Sequence, residues 1–303
     1  MQKTILSTID VARLFNVTET TVKRWADEGT LRCQKTPGGH RKFPVRDVVE
    51  FAERNNYDPV GVLSPQTKGG RNDMIQIAVL HRDFPALAEM FVEKALSPDR
   101  MDLYLFFSYL YEHRFPLWEI YDNVLRPGMT KIGDLWEHGD IGVNHEHRAS
   151  YETLDALARL QAEVFIKPRN GKSVVLACME EELHEIGLRS AAYVFEAEGW
   201  STHYIGARTP AAAVTQALKD FAPSVLALSL TCTADSRRLI VDLQRVQQEA
   251  HAMKVPVIMG GAGISPEVRQ QTPPDALLSS ARDILDFTAR LLSSGPDSGK
   301  RST

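Results

Sequence analysis

Residues 171–205 read GKSVVLACMEEELHEIGLRSAAYVFEAEGWSTHYI, and their pattern sets the fold class. An apolar run of strand length, Ser173–Cys178, precedes a segment of helical length, Leu183–Glu198, and a second short run, Ser201–Ile205. The rhythm continues through Val225–Leu230, a helical Ala234–Met253, Val255–Met259 and a shorter Ala276–Leu278. Apolar runs without polar alternation suit strands covered on both faces, and strand–helix–strand order requires parallel pairing. The expectation over 169–292 is a doubly wound, Rossmann-like α/β domain, with ligands at the carboxyl ends of its strands.

Upstream the pattern changes. Residues 73–168 show apolar spacings of three and four, as in Phe84-Leu87-Met90-Phe91, Leu103-Phe106-Phe107-Leu110 and Leu154-Leu157-Leu160. About four amphipathic helices, hence a four-helix bundle, are expected there. Residues 55–72 hold two Pro and three Gly and read as a linker; 293–303 read as a disordered tail. Residues 1–54 form a separate head with ten Lys/Arg against seven acids, which gives +3 there and leaves −7 for the rest of a chain of net charge −4. A basic module on an acidic body points to a polyanion partner for that module alone.

The rest of the composition excludes several classes. No run approaches the roughly 20 apolar residues that span a membrane. The start, MQKTILSTIDVARLF, lacks the order of a signal peptide. Three dispersed cysteines, Cys33, Cys178 and Cys232, make neither a disulfide framework nor a zinc site. A cytoplasmic protein is expected.

In the head, Ser7 and Thr18 can cap two short helices joined by a turn at Asn16-Val17, with Val22 and Trp25 on one face of the second. That arrangement fits a helix-turn-helix whose second helix enters the major groove of double-stranded DNA, presenting Thr20, Thr21, Lys23 and Arg24. Pro37-Gly38-Gly39 then turns a hairpin carrying His40 and Arg41. A plain helical hairpin with a solvated basic face is the alternative. Taken with the wing, TPGGHRKF, the head resembles the winged-helix DNA-binding domain of the MerR and excisionase-like families.

The loop after the first strand of the α/β domain contains Glu182-Leu183-His184-Glu185-Ile186-Gly187, an acid-x-His-x-x-Gly pattern. Neutral imidazole is a good ligand for a first-row transition metal, and a carboxylate two residues away can hold its other nitrogen. Gly187 permits close approach of a bulky ligand. A structural loop histidine is the commoner case. Ser229 with Thr231 ends the third strand and Gly260-Gly261 the fourth, and with them the segment resembles the cobalamin-binding domain. The resemblance implies that His184 is the lower axial cobalt ligand and that Ser229, Thr231, Gly260 and Gly261 line the slot for the displaced nucleotide tail.

Between these parts, KIGDLWEHGDIGVNHEHRAS holds Trp136, His138, His145, Glu146 and His147. A metal cluster is one reading, and structural histidines near a loop are the other. Beside the cobalamin signature, the spacing from Trp136 to Glu146-His147 resembles light-sensing, adenosylcobalamin-dependent repressors of the CarH type. That resemblance implies Trp136 over the adenosyl group, with Glu146 and His147 hydrogen-bonded to it. It implies no catalytic residue, an operator DNA partner, self-association as dimer or tetramer, and a nucleoid-associated regulator rather than an enzyme. One position departs: in those repressors a His follows the Trp and captures cobalt from above, whereas here Glu137 stands there, with His138 one residue on. A regulator responsive to cobalamin or another chromophore without that photochemistry, or a corrinoid methyl carrier, is the alternative.

Overall fold

A computed structural model describes residues 5–15, 17–36, 38–44, 47–48, 51, 54–55, 71–98, 100–231 and 236–293. Residues 56–70 of the expected linker (55–72), residues 294–303 of the expected tail (293–303), Asn16, Pro37, Cys232 and Ala234 lie outside the described residues. The chain forms two compact units, residues 1–83 and 84–303.

In the first unit, β1 (Ile5–Ser7), α1 (Thr8–Leu14), α2 (Glu19–Asp27), β2 (Gln34–Lys35) and β3 (Arg41–Pro44) make the head. Thr18 caps α2 by accepting from the Thr21 amide at 3.3 Å, so the hydroxyl satisfies a donor that the first turn leaves orphaned. Phe15, Trp25 and Phe51 pack ring against ring at 4.8–5.8 Å, closed off by Val11, Val22, Leu31 and Phe43. The strand β1 is absent from the sequence reading; it exists because Ile5–Ser7 pairs antiparallel with Lys42–Pro44 across the sheet order β1-β3-β2. Helix α3 (Arg71–His81) follows in this unit.

In the second unit, four helical rods pack together: α4 (Phe84–Leu96), α5 (Arg100–Glu112), α6 (Leu117–Ile120) continued into α7 (Arg126–Glu137), and α8 (Val143–Gln161). A π turn, Tyr121–Leu125, joins α6 to α7 directly before Pro127, a residue that offers no amide hydrogen to the ladder. The turn sets Asp122 against the α/β domain, where its carboxylate accepts the amides of Ala281 and Arg282 at 2.8 and 3.0 Å. Arg126 donates to the Ser279 carbonyl at 2.7 Å. A carboxylate at a helix start complements the positive end of the local dipole. These contacts seat the bundle on the sheet domain.

That domain has five parallel strands, β4 (Ser173–Met179), β5 (Ser201–Thr209), β6 (Val225–Ser229), β7 (Val257–Gly260) and β8 (Ala276–Leu277), in the order β5-β4-β6-β7-β8. Helices α9 (Ile186–Ala197), α10 (Ala211–Phe221), α11 (Ser236–Ala252), α12 (Pro266–Gln271) and α13 (Ala281–Ser293) connect and cover them. Val175, Ala177 and Met179 join Leu226, Leu228 and Leu230 in a core under α10 and α11. Val174, Leu176 and Cys178 alternate to the other face and are equally buried, which is why the strand lacks polar alternation. Pro256 delays β7 relative to the expected Val255 start, since its nitrogen cannot donate to a central ladder. Among the described residues no helix is long and apolar enough to cross a membrane.

Candidate functional site

In this sheet the first strand of the domain, β4, lies beside the second, β5, on one side and the third, β6, on the other, so the strand order reverses between β4 and β6. A crevice outside the carboxyl ends of such a pair is where open α/β sheets bind ligands. The loop 180–185 leaves β4 there, and helix α9 starts only at Ile186, three residues later than its apolar pattern indicates. The reason is Glu182.

Glu182 is 2% exposed and joins both strand ends. One carboxylate oxygen accepts from the His184 amide at 2.8 Å and from His184 Nδ1 at 2.7 Å; the other accepts from the Thr231 amide just past β6. Both oxygens of this carboxylate are thus used to fix backbone and imidazole together. With Nδ1–H donated to Glu182, the ring presents Nε2 with its lone pair free. The His184 side chain is 60% exposed, and among the described residues Nε2 has no partner. Glu182 holds this imidazole above its usual range by hydrogen bonding, against desolvation, and the charge of Glu146 on α8 adds to the effect.

Ser229 ends β6 in register with Cys178 and Gly260. A Cβ on Gly187 would lie 3.9 Å from the Ser229 hydroxyl, so these two small residues are neighbours at the strand end. Thr231 contributes its amide, as above, and its side chain is exposed. Gly260 and Gly261 have a local reason to be glycine. A Cβ on Gly260 would meet the Leu278 carbonyl at 2.7 Å, and one on Gly261 would meet the Leu230 carbonyl at 2.1 Å.

On the bundle side, Trp136 is half exposed near the end of α7. Glu137 follows, exposed, and His138 caps the helix with Nδ1 donating to the Asp134 carbonyl at 2.7 Å. That bond holds the ring against its own helix and raises its affinity for a proton. Glu146, on the first turn of α8, accepts from the Ser150 hydroxyl at 2.8 Å and lies 3.7 Å from His147 Nε2. Among the described residues no group of three His, Cys, Asp or Glu could hold a metal ion, so the histidines of this segment form no cluster.

Sequence reasoning misses a second polar set on the same loop. The Tyr204 hydroxyl donates to Glu185 at 2.8 Å, and the Arg189 guanidinium stacks 3.4 Å over the Tyr204 ring. Nothing local in the sequence marks it, because Tyr204 comes from the neighbouring strand.

In the head, Thr20, Lys23, Arg24 and His40 are exposed, and Thr21 is half-buried with its hydroxyl 3.0 Å from that of Thr18. Lys23 pairs with Glu19 at 3.4 Å. Arg41 is bound at both oxygens of Asp27.

A family described as a helix-turn-helix domain matches residues 5–56, and two described as a B12 binding domain match 75–161 and 172–282. Head and site therefore define a class: a DNA-binding, helix-turn-helix regulator that carries a cobalamin-binding module. More particularly, the chain has the domain order of a CarH-type regulator. It is 28% identical over 263 residues to the HTH-type transcriptional repressor CarH of Myxococcus xanthus, covering 83% of this chain and 87% of that one. Dimethylamine corrinoid protein 1 of Methanosarcina mazei is 24% identical over 178 residues, 57% of this chain and 82% of its own. The solved monomethylamine corrinoid protein of Methanosarcina barkeri shares the fold, with a TM-score of 0.59 at 17% identity over 68% of this chain and 99% of that one.

Proposed function

We propose that this chain is a cytoplasmic, nucleoid-associated repressor that takes adenosylcobalamin as a light-sensing chromophore and couples it to assembly and operator binding. The observation that carries the reading is His184, its Nδ1 held by a buried carboxylate and its Nε2 free where the strand order reverses. His184 would be a cobalt ligand, oriented by Glu182. Gly187, Ser229, Thr231, Gly260 and Gly261 would border the nucleotide tail. Trp136, Glu146 and His147 would receive the adenosyl group, since an indole face and an acceptor carboxylate suit a purine nucleoside. Bound adenosylcobalamin supplies a light-labile Co–C bond, and the protein supplies binding and orientation. A dimer or tetramer favoured by one cofactor state links that state to DNA, because tethered heads gain affinity by effective concentration. The DNA-binding head opposes a methyl-carrier role.

A second reading, a cobalamin-level sensor without photochemistry, is favoured by Glu137 and by the engagement of His138 with its own helix. An absorbance spectrum with adenosylcobalamin bound, taken before and after green light, separates the two: a spectrum unchanged by light leaves only the second. Glu137→His is expected to give an illuminated form whose spectrum no longer titrates with pH as cobalt-bound water does. If the unaltered protein already behaves so, Glu137 has no bearing on the upper face.

For the head, Arg24→Ala is expected to lower the slope of log affinity against log salt by about 0.9, the value of one phosphate contact. An unchanged slope in a salt titration would place Arg24 off the phosphate backbone.

A further inference from the structure

The wing of the head sets two like charges face to face. Lys35 and Arg41 are directly opposed partners on the antiparallel strands β2 and β3, an arrangement that destabilises a hairpin unless a counter-charge offsets it. Asp27, on the last turn of α2, is that counter-charge. Its two oxygens accept from Arg41 Nη2 at 2.6 and 2.9 Å, and Lys35 Nζ lies 3.8 Å away. Strand alternation decides which wing cation can be so held. Arg41 shares a face with Phe43, which is 0% exposed, so Arg41 points toward the helices while Lys42 points the other way. The Arg41 side chain is only 19% exposed, and its Nε is enclosed without a hydrogen-bond partner. The wing turn closes by itself: Gly39 donates to the Thr36 carbonyl at 2.9 Å, Thr36 to the His40 carbonyl at 2.9 Å, and His40 to the Thr36 hydroxyl at 3.2 Å. What the turn cannot set is its orientation to α2.

An acid at the end of a helix meant for the major groove would only repel phosphate, if phosphate contact were the whole task of these residues. We propose instead that Asp27 and Arg41 are positioning residues for DNA binding. The pair fixes the wing against α2, and contact with the duplex falls to Arg24, His40 and Lys42. The inference rests on the DNA-binding reading above, and it changes what Arg41 is expected to do: in place of touching phosphate, it aims the residues that do.

The test uses the full chain and a mixed-sequence duplex of three helical turns, with affinity measured by fluorescence anisotropy across a salt series. Asp27→Asn is expected to weaken binding about three- to fivefold, the worth of a good surface ion pair, with the salt slope unchanged. The exchange Asp27→Arg with Arg41→Asp restores the pair in reverse and is expected to return affinity to within about twofold of the unaltered chain. If Arg41 contacts phosphate, both signs reverse. Asp27→Asn then frees one or both cations, binds more tightly and steepens the slope by about 0.9 for each, while the exchange loses a contact. Should Asp27→Asn unfold the head, as the near-ultraviolet signal of buried Trp25 reports, Arg41→Lys carries the same comparison, because it keeps the charge on a side chain that ends one bond short of the Nη2 that reaches Asp27. Tighter binding by Asp27→Asn overturns this inference alone. Failure of the unaltered chain to bind the duplex at low salt overturns the DNA-binding reading and this inference with it.

Discussion

His184→Ala is expected to lower cobalamin affinity by more than about a hundredfold, because even the groups that orient a metal ligand are worth about 10- to 100-fold. Stability without cofactor should barely change, since the side chain is 60% exposed. Glu182→Gln should behave differently. Glu182 is buried and accepts three N–H donors, from His184 Nδ1, the His184 amide and the Thr231 amide. An amide in its place must turn NH2 toward at least one of those donors. The expected cost is about 1–3 kcal/mol of stability, the usual penalty for an unmet buried polar group, in addition to about tenfold or more in affinity. Isothermal titration with cobalamin and urea unfolding without it give the two numbers for each variant. Unchanged affinity in His184→Ala removes the lower-ligand assignment. Unchanged stability in Glu182→Gln means the carboxylate does not join the two strand ends as described.

Gly261→Ala should unfold or nearly unfold the α/β domain, at a cost of about 3 kcal/mol or more. Gly261 has φ of +113°, which L side chains rarely adopt, and the added Cβ would lie 2.1 Å from the Leu230 carbonyl oxygen. That carbonyl cannot retreat freely. It accepts from the Gly263 amide at 2.9 Å, while the Leu230 amide donates to the Gly260 carbonyl at 2.9 Å. Gly260→Ala should cost less, because only the Leu278 carbonyl, at 2.7 Å, is crowded. The urea midpoint of each variant, measured without cofactor, decides the matter. If Gly261→Ala keeps its midpoint and loses only cobalamin affinity, the glycine serves the ligand and the backbone argument fails.

The local patterns of the chain were legible because they are written in neighbouring residues. Thr18 and the Val22–Trp25 spacing mark α2; apolar runs mark β4 and β6; three- and four-residue spacings mark the rods of the bundle. The motif Glu182-x-His184 lies within one loop, so the hydrogen bond between its two side chains could be read from their spacing. Other features come from pairings between distant segments, which no window of sequence contains. The third donor to Glu182 is an amide 49 residues on, and it exists only because β6 lies beside β4 in the sheet. The strand β1 appears only once β3 offers it an edge. The π turn places Asp122 on the start of a helix some 160 residues later. Arg41 reads as a free wing cation until the fold brings Asp27 to it, and the backbone's own need for glycine at 261 shows only once Leu230 lies beside it. Periodicity and capping thus determined which elements form and which loop bears the imidazole. Tertiary packing decided which charges remain free and which small residues the backbone itself requires, because both depend on atoms that only the folded chain brings within a few ångströms.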